Sequence, residues 1–498
     1  MWGRVPEVRG MMLLLVLGID GGWRRAVALG VALTALAVVA ACVQAPSAPP
    51  PANGSGSAAP SFEARSSTPP VREPRSRSDA RGRESYGDAA AAWFVDEIRV
   101  RLVEWCGAQR LRVTVPTDQV RATAGDRGQP LELPLRAGTY EVRADESGRA
   151  IHFGRYTVRT NTLCLELPGT RRGPSGEVSA SEMFALATDD ERDATPVRGS
   201  LTLRVTRGGH LEPIITLDMR SYVAGSLLAE MPASFGEAAL RAQAVAIRTF
   251  TTYRVLATRA GNNERPYDVQ SSVADLRYGG TPYERPISWR VAEETAGEVL
   301  TYDGKLFPTF FHSTSGGTTI SSASYFGDFA GFPPLAGGVA SPSEASPLHQ
   351  WVTTLDWREV RENLLREGFD ERELGATLHE VRRLFPSSLR GNVPARGEAD
   401  PARRPHSFAL VTDAGTVRIR APRLRALVGG GRDAMPSTCF TVVVSDNTLT
   451  LHGHGFGHGV GLCQYGAGAL GKDGATHPQI LSHFYPQSRL MRLEQGAQ

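Results

Sequence analysis

The chain has 498 residues, 41% of them hydrophobic, which suffices for one large core or two moderate ones and excludes a fibrous or wholly disordered protein. A formal charge of +3 is too small for this length to support nucleic-acid binding. Only Lys305 and Lys472 are lysines among 55 basic residues, a coding bias that weakens any argument from arginine runs.

Arg24 and Arg25 precede an apolar run from Ala26 to Ala41, and Cys42 follows it. A membrane span needs roughly 20 residues, so this run suits a signal-peptide core better. Val39-Ala-Ala-Cys42 resembles a bacterial lipobox. It implies a signal peptide over 1–41, cleavage before Cys42, lipidation of that cysteine and a membrane anchor on the outer side, with an ordinary secretory signal as the alternative. Residues 42–88 are rich in Pro, Ser, Ala, Gly and Arg and offer almost nothing apolar to bury, which predicts a disordered tether. Over 89–185, short alternating runs such as IRVRLVEW, LRVTV, GTYEVRA and TLCLEL predict a small β-rich accessory domain. Cys106 and Cys164 fall within it and are read as either a disulfide or two buried thiols.

From about Arg198, GSLTLRV leads into a predicted helix with Asp218 as N-cap. Counting back from Glu230 by four, seven and eleven reaches Ser226, Val223 and Met219, so Glu230 lies on the inward stripe. Pro232 ends the helix near Met231 and leaves Glu230 at its C-terminal edge. Partial desolvation and the negative helix end both favour a protonated carboxyl there, the state a general acid needs. The bland alternative is a glutamate that bonds a neighbouring loop. Ser234 and Glu237 form an S-x-x-E capping box, and an alanine-rich helix is predicted from about Phe235 to Arg259, ending at Gly261. Gln243 and Arg248 interrupt its apolar pattern, as expected of one wall of a site.

Next come Asp268-Val-Gln-Ser-Ser-Val-Ala-Asp-Leu-Arg-Tyr-Gly-Gly, a hairpin at Asp303-Gly304, a strand LFPTFF and the loop Ser313-Thr-Ser-Gly-Gly317. Ser313, Ser315, Gly316 and Gly317 offer hydroxyls and open amides suited to sugar hydroxyls, or form only a turn. A serine nucleophile is the sharper alternative, but no histidine and acid partner can be assigned to it. Trp351 to Gly368 predicts one capped helix, and PARGEADPARRPH an exposed insertion. Three histidines in seven residues, in His452-Gly-His-Gly-Phe-Gly-His-Gly-Val-Gly-Leu-Cys-Gln-Tyr-Gly-Ala, admit a zinc reading. Glycine at alternate places favours a backbone that approaches something closely instead.

Together these blocks resemble the stage-two sporulation protein D family, peptidoglycan lytic transglycosylases and amidase-enhancer relatives, over 197–490. The resemblance rests on Asp218-Met-Arg-Ser-Tyr-Val-Ala-Gly, Ala229-Glu-Met-Pro, Glu237-Ala-Ala-Leu-Arg-Ala-Gln-Ala-Val-Ala-Ile-Arg-Thr-Phe, the Asp268 block, STSGG and the final glycine-histidine block. It implies a catalytic role for Glu230 and Arg248, and substrate binding by Gln243, Tyr278, Ser313, Ser315, Gly316, Gly317, His458 and Gln464. Where some members carry zinc ligands, this chain has Gln270 and Asp275, so no metal and no cofactor is expected. Cys463 stands at the family's serine and could pair with Cys439. The implied fold is α+β, a mixed catalytic domain with the long helix beside a cleft. The implied partners are peptidoglycan glycan strands, a membrane through the lipid anchor and a cell-wall amidase. The implied place is the cell envelope, on the periplasmic or extracellular face. Two rivals stand beside a transglycosylase: a non-catalytic amidase enhancer and a zinc amidase.

Overall fold

The structure is a computed structural model that describes residues 93–493 apart from 126–127, 168–181, 262–264, 273–274, 327–331, 386–403 and 430. The signal peptide, Cys42 and the tether of the sequence reading lie outside these residues. The fold is mixed α+β. Its helices are α1 (Met219–Glu230), α2 (Glu237–Ala260), α3 (Pro286–Glu294), α4 (Ser322–Phe326), α5 (Trp357–Arg366), α6 (Glu371–Leu374), α7 (Ala421–Leu427), α8 (Gln464–Lys472) and α9 (His477–Phe484).

One sheet runs in the order Val269–Gln270, Glu97–Arg101, Leu211–Asp218, Ser200–Val205, Thr162–Glu166, Arg121–Ala124, Gln129–Leu131. A second runs Thr195–Val197, Phe184–Ala187, Arg110–Val115, Gly138–Ala144, Ile151–Phe153, Tyr156–Val158. The strands before 185 therefore do not close on themselves as a sheet apart. Leu211 to Ile215 is buried on both faces, so both its edges need partners for their backbone groups. Glu97–Arg101 supplies one edge, with Ile98 opposite Leu217, and Ser200–Val205 the other, with Leu201 opposite Ile215. Leu111, Phe153, Leu163, Leu201, Ile215, Tyr222 and Ile247 accordingly belong to one apolar core. No disulfide joins Cys106 and Cys164, and burial pushes the Cys106 thiol up to about 12.

Helix α2 is the axis of that core. Every residue from Ala242 to Thr252 is buried, although the helix spans about 36 Å at 1.5 Å per residue. Its alanines let α1, α3, α8, α9 and the strand Glu298–Tyr302 pack around it. Its polar residues serve those neighbours: Thr249 Oγ1 accepts from the Leu300 amide at 2.9 Å, and the Ala246 carbonyl accepts from Thr309 Oγ1 at 2.8 Å.

Three local expectations change in the structure. The Ser234 capping box does not form, because Ala233–Phe235 makes a 3₁₀ turn and Gly236, at φ 91°, becomes the N-cap. Glu237 instead engages Arg241 and Arg290, at 2.5 and 3.0 Å. The strand LFPTFF splits into Lys305–Leu306 and Phe311–His312 around Pro308, which has no N–H for a ladder. Trp351 to Gly368 is half strand, because the β-branched run Val352-Thr353-Thr354 pairs with Thr448–His454 before Asp356 caps α5. The Asp303-Gly304 hairpin forms as read, with φ of 46° and 66°. The strands and helices between 350 and 454 carry a second core built on Trp351, Trp357, Phe408 and Phe440.

Candidate functional site

Glu230 is the last residue of α1, and Met231 behind it is extended, as a residue before proline must be. Asp218 caps the start of the helix by accepting the Ser221 amide at 2.9 Å. The Glu230 side chain is partly covered, and its Oε1 accepts the Arg277 amide at 2.7 Å. Burial raises its pKa to about 7, against the opposing pull of that amide and of the Arg277 charge. The carboxyl therefore exchanges its proton at the pH at which an enzyme would use it.

Two glycines bring the Arg277 amide to this place. Gly279 N–H donates to the Gly225 carbonyl at 3.1 Å, laying the 277–280 segment on α1. A Cβ on Gly225 would meet Tyr278 Cε2 at 2.7 Å, and one on Gly279 would meet the Ala229 Cβ at 2.8 Å. Tyr278 is itself buried, stacked on Tyr222 with ring centroids 5.4 Å apart. Further on, Arg277 Nη2 donates to the Tyr283 hydroxyl at 2.8 Å, with the guanidinium 5.2 Å from that ring's centroid.

A second group forms where Phe311–His312 pairs in parallel with Leu462–Cys463. The STSGG loop and the glycine-histidine loop interlock through Thr314 and Phe456, which exchange amide bonds at 3.0 and 2.8 Å. Here glycine is required by space. A Cβ on Gly316 would meet the His454 Cβ at 2.7 Å, and one on Gly455 would meet the Thr314 carbonyl at 2.6 Å. Cys463 Sγ receives the Ser315 and Gly466 amides at 3.3 and 3.4 Å, so this thiol caps α8 as a serine would, and neither it nor Cys439 is in a disulfide.

His458 lies among Phe310, His312, Tyr325 and Phe326, with centroids 5.4 to 6.0 Å away. Its Nδ1 accepts the Val460 amide at 3.0 Å, so the ring proton sits on Nε2. Burial, helped by the charges of Arg404 and Arg425, lowers its pKa to about 3. It stays neutral. His452 is exposed on its strand and His454 faces the His349 ring, so the three histidines diverge. Among the described residues no three His, Cys, Asp or Glu side chains gather in a way that could hold a metal.

The two groups meet at an aromatic pair. Tyr465 donates its amide to the Ser313 carbonyl at 3.1 Å, and its ring lies 4.8 Å from Phe235, in the turn directly after Glu230. Ser313, Gly317 and His458 keep some exposure there, whereas Ser315, Gly316 and Gln464 are buried. Ser315 Oγ accepts the Gly317 amide at 3.2 Å and lies 3.4 Å from Ser343 Oγ, which gives no nucleophile–base pair. Gln243 is fully buried with both amide atoms unpartnered.

Arg248 is also buried, and its donors reach the Ala292 and Glu298 carbonyls and Thr295 Oγ1 at 3.2 to 3.4 Å. These bonds tie it to the C-terminal end of α3. Burial lowers its pKa to about 10, so it remains charged at neutral pH.

At the Asp268 block, Asp268 takes Arg99 Nη2 at 2.8 Å and Arg259 Nη2 at 2.9 Å, while Asp275 takes Arg254 Nη2 at 2.5 Å. These carboxylates are already spent on arginines. The sequence reading missed Arg277, Tyr283 and Arg404. Arg404, in the segment expected to be exposed, is 3% exposed and donates to the Gly457 and Ser315 carbonyls at 3.0 and 2.9 Å. No local pattern marks it. Arg277 stands inside the Asp268 block, where a basic residue beside Tyr-Gly-Gly is the available signal.

A family model described as stage II sporulation protein matches residues 207–302, which include Glu230, Arg248 and Arg277. An uncharacterized protein of Brachyspira hyodysenteriae is 29% identical over 273 residues, covering 54% of this chain and 65% of that protein. Stage II sporulation protein D of Bacillus subtilis is 26% identical over 360 residues, 68% of this chain and 95% of the relative. The amidase enhancer of Bacillus subtilis is 25% identical over 288 residues, 52% of this chain and 39% of the relative. The family match covers the segment that carries Glu230 and Arg277, and the chain is similar to the stage II sporulation protein D family.

Proposed function

We propose that this protein is a cell-envelope lytic transglycosylase that cuts the bond between N-acetylmuramic acid and N-acetylglucosamine in peptidoglycan. The observation that carries the reading is Glu230, a carboxyl at a helix end with its proton in exchange near pH 7. Protonated, it gives its proton to the glycosidic oxygen as the bond from muramoyl C1 breaks. Ionised, it takes the proton of the C6 hydroxyl as that oxygen closes on C1 and forms a 1,6-anhydro ring. One carboxyl serves both steps because the sugar supplies the nucleophile, whereas most glycosidases need two carboxylates. Asp275, the acid closest to Arg277 in the chain, is tied to Arg254 and to the Gln270 amide, which fits a one-carboxyl site. Ser313, Gly317, His458, Phe235 and Tyr465 would bind the glycan, with Arg248, Gln243, Tyr278, Ser315, Gly316 and Gln464 supporting them from beneath. The test is mass spectrometry of a digest of purified peptidoglycan. Anhydromuramic ends without new reducing ends are the expected products, and reducing ends would make the protein a hydrolase.

The similarity to an amidase enhancer favours a second reading, a non-catalytic glycan-binding protein that acts with a cell-wall amidase. Absence of any product in the same digest, with glycan binding retained, would select it. The diverging histidines disfavour a zinc amidase, and cleavage is expected to persist after exhaustive chelation. Loss of activity that zinc restores would overturn that expectation.

The lipobox-like Val39-Ala-Ala-Cys42 supports an envelope site through a lipid anchor. No helix among the described residues is long and apolar enough to cross a membrane. Cys42→Ala is expected to move the protein from the membrane fraction to the soluble one. A substituted protein that still sediments with membranes and keeps its uncleaved N-terminus would refute the anchor.

A further inference from the structure

We infer that Arg277 and Tyr283 are a positioning pair that controls the protonation of Glu230, the amide of the arginine orienting the carboxyl while Tyr283 holds its guanidinium at a distance. The inference rests on the catalytic reading of Glu230. Among the described residues no carboxylate pairs with the Arg277 guanidinium, and no cation lies within ion-pair distance of Glu230, although the Arg277 amide is 2.7 Å from Glu230 Oε1. The guanidinium is instead fixed by the Tyr283 hydroxyl at 2.8 Å and by that ring's face.

The separation matters chemically. A direct ion pair would hold Glu230 as a carboxylate and remove the acid, whereas burial with no cation nearby would hold it protonated and remove the base. A charge held beyond ion-pair distance, yet still felt by the carboxyl, supports both states. Among the described residues, the other charged groups of the elements packed here are engaged elsewhere. On α1 itself Tyr222 is buried and neutral, held well above its ordinary value by burial, with Asp275 acting on it as well. From α3, Glu293 is paired with Arg220 at the far end of α1. From the 281–284 turn, Glu284 is paired with Arg198. From α2, Arg248 is turned on the end of α3. The loop geometry supplies the rest, since the Gly225 and Gly279 contact leaves no slack between the Arg277 backbone and α1.

The experiment follows the carboxyl directly, as the infrared carboxyl band present in the wild type and absent from Glu230→Gln, across a pH series. It needs no turnover, so it remains decisive even if the digest shows no cleavage. Arg277→Gln is expected to raise the Glu230 midpoint by about one pH unit, and Arg277→Lys to leave it near the wild-type value. Tyr283→Phe keeps the ring, frees the guanidinium and is expected to lower the midpoint, with no such effect when combined with Arg277→Gln. In an active enzyme the alkaline limb of kcat/KM moves with the midpoint. An unmoved midpoint in Arg277→Gln, or an equal shift in Arg277→Lys, would overturn the inference. A folded Arg277→Gln protein that loses rate with its midpoint unchanged would assign Arg277 to packing alone.

Discussion

Glu230→Gln is expected to abolish glycan cleavage while leaving the fold and much of the glycan binding in place. The amide has nearly the same shape, and its oxygen can still accept the Arg277 amide that holds Glu230 Oε1 at 2.7 Å. It cannot carry a proton. Loss of a general acid or base costs roughly 10² to 10⁴ in rate, and here one group serves both steps, so the loss should reach or pass the upper figure. Cleavage undiminished in this variant would remove Glu230 from the mechanism.

The same substitution should alter stability in a direction fixed by linkage. The carboxyl is raised from 4.5 to about 7 by folding, so between these values the native state binds more protons than the unfolded one. Stability contributed by the neutral carboxyl is then fully present below pH 4.5 and falls as pH rises through 7. The glutamine variant has no such loss. It should match the wild type near pH 4 and exceed it near pH 8 by roughly 3 kcal/mol, at 1.36 kcal/mol per unit. Equal denaturation midpoints of the two proteins at pH 8 would show that Glu230 is not desolvated as the fold implies.

The parts of this site that were legible in the sequence are those fixed by local chemistry. Asp218 caps α1, Pro232 forces Met231 out of the helix, and period 3.6 turns Glu230 inward, each within a few residues of its cause. The interlocked loops were legible as a pattern, since alternate glycines mean close backbone approach, and the Gly316 and Gly455 contacts supply the partners. What could not be read depends on distant pairing. The strand Glu97–Arg101 looked like part of a domain apart because nothing local reveals that Leu211–Asp218 needs a second edge. Tyr278 and Gln243 matched family positions, but sequence does not separate a residue lining a cleft from one a layer beneath it, and both are buried. Arg248 bonds the Ala292 carbonyl on α3 and the Glu298 carbonyl on the following strand, 44 and 50 residues away, contacts that no local pattern reveals. Ser234 shows the reverse failure, a correct local signal overridden when the 3₁₀ turn after Pro232 passed the cap to Gly236.

Arg198→Ala is expected to destabilise the protein by about 3–5 kcal/mol, the usual result of removing one member of a buried ion pair. The Arg198 and Glu284 side chains are 10% and 7% exposed, and the pair is joined by guanidinium bonds of 2.9, 2.8 and 2.6 Å. The guanidinium also lies 4.7 Å from the Trp289 ring centroid on α3. Removal of the arginine leaves the Glu284 carboxylate covered and without its cation, and its cost exceeds that of any exposed pair in the molecule. The position ties stability to the site. Arg198 follows the strand Thr195–Val197, Thr281 Oγ1 donates to the Pro196 carbonyl at 2.7 Å, and Glu284 directly follows Tyr283. The pair thus fastens the turn that carries Tyr283, and through it Arg277, to the strands that precede α1. Arg198→Ala should lower the urea midpoint and, under conditions where it is still folded, also blunt glycan cleavage. Arg198→Met combined with Glu284→Leu removes both charges, keeps most of the packing volume and should recover much of the stability without fully restoring the turn. If the single substitution costs less than about 1 kcal/mol, or the double one costs as much as the single, the pair is not the fastening that its burial suggests.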